Sequence, residues 1–208
     1  MSITIIIIAV TVLASLYAWS NNAVQQKWML NPYAVKRHNE YFRFITSGLI
    51  HQDYLHLLFN MIALYSFGQV VEQSFTLEFP GAGKTLFAAL YILGVVASDI
   101  PTYLKHQNQP YYNSLGASGG VSSIVFAAIL LYPMMRMGLM FIPVRLPAFI
   151  FGSLYMFYSY YQARRGGDYI NHDAHLYGAL FGIVFTVIAI PSSLPGFIRQ
   201  IANWEGFF

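Results

Sequence analysis

Ser114-Leu115-Gly116-Ala117-Ser118-Gly119-Gly120-Val121-Ser122-Ser123 runs directly into an apolar stretch from Ile124 to Leu131. The arrangement puts a serine among glycines at the start of a hydrophobic helix. Glycines around Ser118 let the backbone turn sharply and let a partner approach without interference from a Cβ. A helix N-terminus also presents unpaired N–H groups and the positive end of a dipole, which suit a negative oxygen. Two readings follow. One is a nucleophile beside an oxyanion site; the other is a small-residue contact between membrane helices.

The rest of the chain sets the surroundings for that serine. Of 208 residues, 57% are hydrophobic and only 9% are charged, and the mean hydropathy is +0.51. Soluble domains carry about a quarter charged residues, so the composition predicts an all-α integral membrane protein. A formal net charge of +3 with scattered basic residues offers no nucleic-acid surface. Without cysteine, disulfides and Cys-ligated metals are excluded. The apolar start, Ile3 to Ala18, has no preceding basic residue and no clear small-x-small cleavage site after it, so it reads as a retained span.

Six apolar segments are predicted at about 3–19, 54–71, 85–98, 118–132, 146–162 and 172–190, within a single membrane domain over 1–208. Ser20 to Arg43 mixes aromatics with charges, as an interfacial loop does. Asp99 to Asn113 is expected to be a polar link. Gly81-Ala82-Gly83-Lys84-Thr85 looks like a phosphate loop, but Glu78 stands where the motif needs glycine, so it reads as a helix start. The fourth segment spans about 22 Å at about 1.5 Å per residue, against roughly 30 Å of hydrocarbon. Ser118 should therefore lie below the membrane surface in a polar cavity. A count of loop charges sets Lys27, Lys36, Arg37, Arg43, Lys105, Arg164 and Arg165 on the Ser118 side. The opposite side has Lys84, Arg136, Arg145 and Arg199, so the positive-inside rule puts the Ser118 face in the cytoplasm.

Polar groups inside the spans are candidates for function. His56 and Asn60, four residues apart, share one helix face. His175 precedes Gly178 and Gly182, a smooth stripe able to meet Gly119, Gly120, Ser123 and Ala127 of the fourth span. If those stripes meet, His175 is carried to the level of Ser118, as a general base requires. A core histidine and interhelical polar glue are the alternatives. Metal ligation by His56 with His175 or His172 lacks a carboxylate at ligand spacing. His51 and His172, at helix ends, and His38 and His106, in loops, are expected to be solvated.

In this order on six spans, these motifs resemble the rhomboid family of intramembrane serine proteases. The likeness runs from about Arg43 to Gly182. It rests on Gly116-Ala117-Ser118-Gly119, on Ala174-His175 with Gly178 and Gly182, and on His51, His56 and Asn60. The resemblance implies a six-helix bundle in which Ser118 is the nucleophile and His175 its base. It implies oxyanion donors at His56, Asn60 and the Ser118 backbone N–H, with Gly116, Gly119, Gly178 and Gly182 in support. No metal or other cofactor is implied; the partners are transmembrane protein substrates and the lipid bilayer. The implied setting is the plasma membrane of a bacterium, with the site opening on the non-cytoplasmic side, opposite to the charge count. Arg43 would anchor a loop lying partly in the membrane plane. The fifth segment, with Tyr155, Phe157, Tyr158, Tyr160 and Tyr161, and the link containing Gly166-Gly167 would be gate and cap.

The sequence departs from the family at Ser122, where many relatives carry an aromatic that stacks on the histidine; a hydrogen bond from Ser122 is the substitute. Phe42-Arg43 replaces a common Trp-Arg pair, and Asp173 falls on a different face from His175, so no triad is assigned. A silent rhomboid-like protein that binds membrane clients is the alternative function, opposed by the presence of both Ser118 and His175. A small transporter is disfavoured because no internal repeat is visible.

Overall fold

The computed structural model describes residues 1–138, 145–166 and 170–206. Gly167, part of the expected cap, lies outside the described residues. Among the described residues, four helices are long and apolar enough to cross a membrane: α1 (Ile3–Ser20), α5 (Tyr54–Glu78), α6 (Gly83–His106) and α9 (His172–Ala189). Between α1 and α5 lie three short helices, α2 (Asn22–Trp28), α3 (Pro32–His38) and α4 (Arg43–Thr46). The bundle is completed by the shorter apolar α7 (Ser118–Leu131) and by α8 (Ala148–Arg165). The latter has the length of a span but is diluted by tyrosines and closes on Arg164 and Arg165. A small hairpin, β1 (Arg136–Gly138) with β2 (Arg145–Pro147), joins α7 to α8, and α10 (Ser193–Ala202) follows the last span.

A helix overlies each predicted apolar segment, but α5 and α6 outrun the expected ends at Val71 and Ser98. The extension of α5 follows from Glu72. The residue is 6% exposed, and its carboxylate accepts from the N–H groups of Ile3 and Thr4 and the hydroxyls of Ser2 and Thr4 at 2.7–2.9 Å. A glutamate spent on capping a neighbouring helix does not end its own. In α6, the stretch expected as a polar link from Asp99 continues as helix to His106, through Pro101. Asp99 is buried and accepts a hydrogen bond from the Ser47 hydroxyl at 3.2 Å. The phosphate-loop look-alike is the start of α6, where Lys84 Nζ donates to the Met1 carbonyl.

Helix α7 is the axis of the fold. Nearly every residue from Gly119 to Leu130 is buried, and α7 packs on α9, α6 and α5. The contact with α9 is backbone on backbone. A Cβ at Gly178 would collide with the Gly119 carbonyl, and one at Gly182 with that of Ser123. Ser123 Oγ fixes the register, lying 2.9 Å from the Gly178 carbonyl and 3.0 Å from that of Gly119. Gly120, expected on the same stripe, instead faces Tyr91 and Val95 of α6.

Ahead of α5, Asn31 caps α3, with Pro32 in its first turn and Asn39 left-handed at its end. Arg43 is buried as an anchor: its guanidinium donates to Glu40 at 2.6 Å and to the carbonyls of Gln26 and Met29 at 3.0 and 2.7 Å. Leu30 then pairs with Ser114 through two backbone hydrogen bonds, so the first loop holds the approach to α7.

Candidate active site

The turn before α7 is held on both sides. The Gly116 N–H donates to the Ser47 carbonyl at 3.0 Å. The Ala117 N–H donates to Nε2 of His51 at 3.3 Å, and His51 Nδ1 lies 3.1 Å from the Ser15 hydroxyl. Since Nε2 accepts, Nδ1 carries the proton toward Ser15, whose own hydroxyl sits 3.2 Å from the Leu49 carbonyl. His51 is therefore fully buried, not solvated as expected. Burial, then the nearby His56, pulls its pKa down to about 3 against an opposing pull from Asp53. His51 is neutral at physiological pH and serves as a strut beneath the turn.

Gly116 has φ +127°, a conformation that L side chains rarely adopt. Its missing Cβ is also the space taken by the His56 ring, whose Cε1 and Nε2 would lie 2.6 and 2.8 Å away. Asp53 caps α5 through the His56 N–H at 2.8 Å. One turn on, Asn60 is buried and donates from Nδ2 to the His56 carbonyl. His56 thus faces the turn that delivers Ser118, and Asn60 stands one turn further along α5.

Ser118 is the first residue of α7 and half-buried. Its N–H belongs to the first turn, which has no intrahelical acceptor. The side chain lines a narrow crevice with Ser47, Ser98, Asp99, Gly116, Asn171 and Ala174. That lining mixes these polar groups with Val95 and Leu115, and the crevice encloses about 10 Å³. It includes both the start of α7 and the start of α9.

His175 lies in the first turn of α9, half-buried, immediately after crevice-lining Ala174. The start of α9 is pinned by Asn171, which accepts from the Ala174 N–H at 3.1 Å and donates to the Thr102 hydroxyl at 2.9 Å. Asp173 pairs with Lys105 at 2.9 Å. The imidazole stacks on Tyr155 of α8, with ring centroids 6.0 Å apart and planes 17° apart. His172, expected near water, is buried and meets His175 edge-on at 5.8 Å. Ser122 has its hydroxyl 3.3 Å from that of Tyr155.

Thr102 and Asn171 were not legible as site supports from spacing. Each is an ordinary polar residue until the packing of α6 against α9 is known.

The family model for the Rhomboid domain matches residues 38–192. RHOMBOID-like protein 12, mitochondrial, of Arabidopsis thaliana is 29% identical over 175 residues, covering 74% of this chain and 49% of that protein. The mouse Presenilin-associated rhomboid-like protein, mitochondrial, is 30% identical over 145 residues, 67% of this chain and 36% of that one. Rhomboid-like protein 16, chloroplastic, of Arabidopsis thaliana is 30% identical over 146 residues, 63% and 44% of the two chains. The chain thus spans about half or less of the length of these relatives.

Proposed function

From the premise that this chain belongs to the rhomboid family, we propose that it is an intramembrane serine endopeptidase using a Ser118–His175 dyad. It is a multi-pass integral membrane protein. The observation that most supports catalysis is the pair of backbone contacts Gly178–Gly119 and Gly182–Ser123. They seat the start of α7 against the second turn of α9, with Ala174 and Ser118 on a common crevice.

In this reading His175 Nε2 takes the Ser118 proton as Oγ attacks a peptide carbonyl. The oxyanion is held by the Ser118 N–H with His56 and Asn60, and His175 returns the proton to the leaving amine. Water then attacks the acyl-enzyme, and the same base serves a second time. A preformed arrangement is what makes the donors effective, and the His51 strut and the Gly116 turn supply it. The substrate is a transmembrane segment that must unwind locally, since a helix hides its carbonyls in its own hydrogen bonds. Access is lateral, past α8. The site opens on the non-cytoplasmic side. The relatives named above are mitochondrial or chloroplastic, which does not favour a bacterial plasma membrane, and no particular host membrane is proposed.

The test is cleavage of a generic transmembrane substrate by the purified protein in detergent, with fluorophosphonate labelling of Ser118 in parallel. Wild type should cut and label, while folded Ser118→Ala and His175→Ala should do neither. Equal cleavage by Ser118→Ala would overturn the proposal, and a folded wild type that neither cuts nor labels would leave a client-binding role.

A further inference from the structure

The resemblance to the rhomboid family implies an aromatic four residues after the nucleophile, able to stack on the histidine, and this chain has Ser122 there. Yet the imidazole is not without a ring beside it. Tyr155 lies nearly parallel to His175, with centroids 6.0 Å apart, within the range of an offset stack. It comes from α8, a different helix.

The surroundings of Tyr155 are built for that position. Among the aromatics of α8, Phe157 is 71% exposed, and Tyr158, Tyr160 and Tyr161 are about half exposed. Of the five between Tyr155 and Tyr161, Tyr155 alone turns inward to a half-buried site, as Phe149 and Phe151 do nearer the start of the helix. Two residues of α7, four apart on one face, hold it: Ser122, hydroxyl to hydroxyl at 3.3 Å, and Phe126, ring centroids 5.9 Å apart. A large residue at 122 would occupy the space the tyrosine uses. The small serine leaves that space open and gives the phenol a hydrogen-bond partner inside an otherwise apolar contact. On the other flank, His172 meets the imidazole edge-on.

We infer that Tyr155, seated by Ser122, is the positioning residue that holds the His175 ring in its working orientation, replacing from α8 the aromatic that α7 lacks. The inference rests on the proposed dyad. It also ties the base to the seat of α8: whatever shifts that helix shifts the plate on which the imidazole lies.

The readouts are the rate of fluorophosphonate labelling of Ser118, which needs no lateral admission of a helix, and kcat and KM on the transmembrane substrate. Rates are taken per folded protein. Tyr155→Leu should lower both labelling and kcat by roughly 10- to 100-fold with KM within about twofold, because the loss is one of orientation. Tyr155→Phe keeps the ring and should fall by less than about fivefold. In the Tyr155→Leu background, Ser122→Phe should restore labelling by returning an aromatic from α7. If Tyr155→Leu does not hold its fold, Tyr155→Met makes the same comparison with a flexible apolar side chain.

Labelling of Tyr155→Leu at the wild-type rate overturns the inference, as does a Tyr155→Phe defect as deep as that of the leucine variant. Failure of Ser122→Phe to rescue also overturns it. These results require an active wild type. A wild type that neither labels nor cuts instead removes the protease reading beneath.

Discussion

Gly178 of α9 lies directly against the backbone of Gly119 in α7, with no room for a methyl group between the two helices. The contact is one residue beyond Ser118 and three beyond His175, so its spacing sets the gap in which catalysis is proposed. Gly178→Ala should force the helices apart at a cost of about 1–3 kcal/mol, seen as a lower Tm in detergent. Fluorophosphonate labelling should fall further than stability alone accounts for. Gly196→Ala is the control: a Cβ there meets nothing within 4 Å, and replacing a helical glycine by alanine should raise stability by up to about 1 kcal/mol. Equal behaviour of the two variants would remove Gly178 from the account.

Glu72 carries the second expectation. Four hydrogen bonds from Ser2, Ile3 and Thr4 converge on its carboxylate. Glu72→Gln keeps the shape but turns an amide NH₂ toward donors, leaving buried N–H groups without an acceptor. The expected loss is about 1–3 kcal/mol, measured as reduced resistance to thermal or SDS unfolding. Intrinsic labelling of Ser118 in the surviving folded fraction should persist, because Glu72 lies at the opposite end of α5 from His56. A variant as stable as wild type would show that the cap contributes little.

Much of this was legible before any coordinates, for identifiable reasons. Long apolar runs locate spans, and the glycine stripe at 178 and 182 could pair only with another run of small residues, which α7 supplies. The misses all involve polar residues satisfied by distant partners. Glu72 and Asp99 read as boundaries until Thr4 and Ser47 are seen to face them. His51 reads as a solvated helix-end residue until Ala117 and Ser15 close over it. Tyr155 could be told from its four aromatic neighbours only by knowing which face of α8 meets α9.

His51 yields a pH prediction with a definite sign. Its pKa in the folded protein is about 3, while an unfolded histidine titrates near 6.5. Between these values the unfolded chain binds a proton that the folded chain refuses. Stability present above about pH 6.5 should therefore be lost as pH falls toward 3, by at most about 1.4 kcal/mol per pH unit for one proton. Tm measured from pH 7 to pH 4 should drop accordingly. His51→Gln offers an acceptor and a donor that do not titrate, so its Tm should start lower at pH 7 but decline less steeply. Parallel slopes for the two proteins would mean that other groups carry the acid sensitivity.

The proposed oxyanion role of His56 has a kinetic consequence. His56 occupies the space beside Gly116 that any side chain would take, and Gly116 holds a backbone angle that alanine resists. Loss of one oxyanion donor typically costs 10²–10³ in kcat, so His56→Ala should lower kcat by about that factor with little change in KM. Gly116→Ala should do the same by another route, pushing the imidazole off the turn and straining the peptide that leads to Ser118. If both act on one arrangement, the double variant should be no slower than the worse single. Kinetics of the three proteins on the same transmembrane substrate decide this. Multiplying losses would mean that the glycine and the histidine serve separate steps, and the turn would then matter for Ser118 alone.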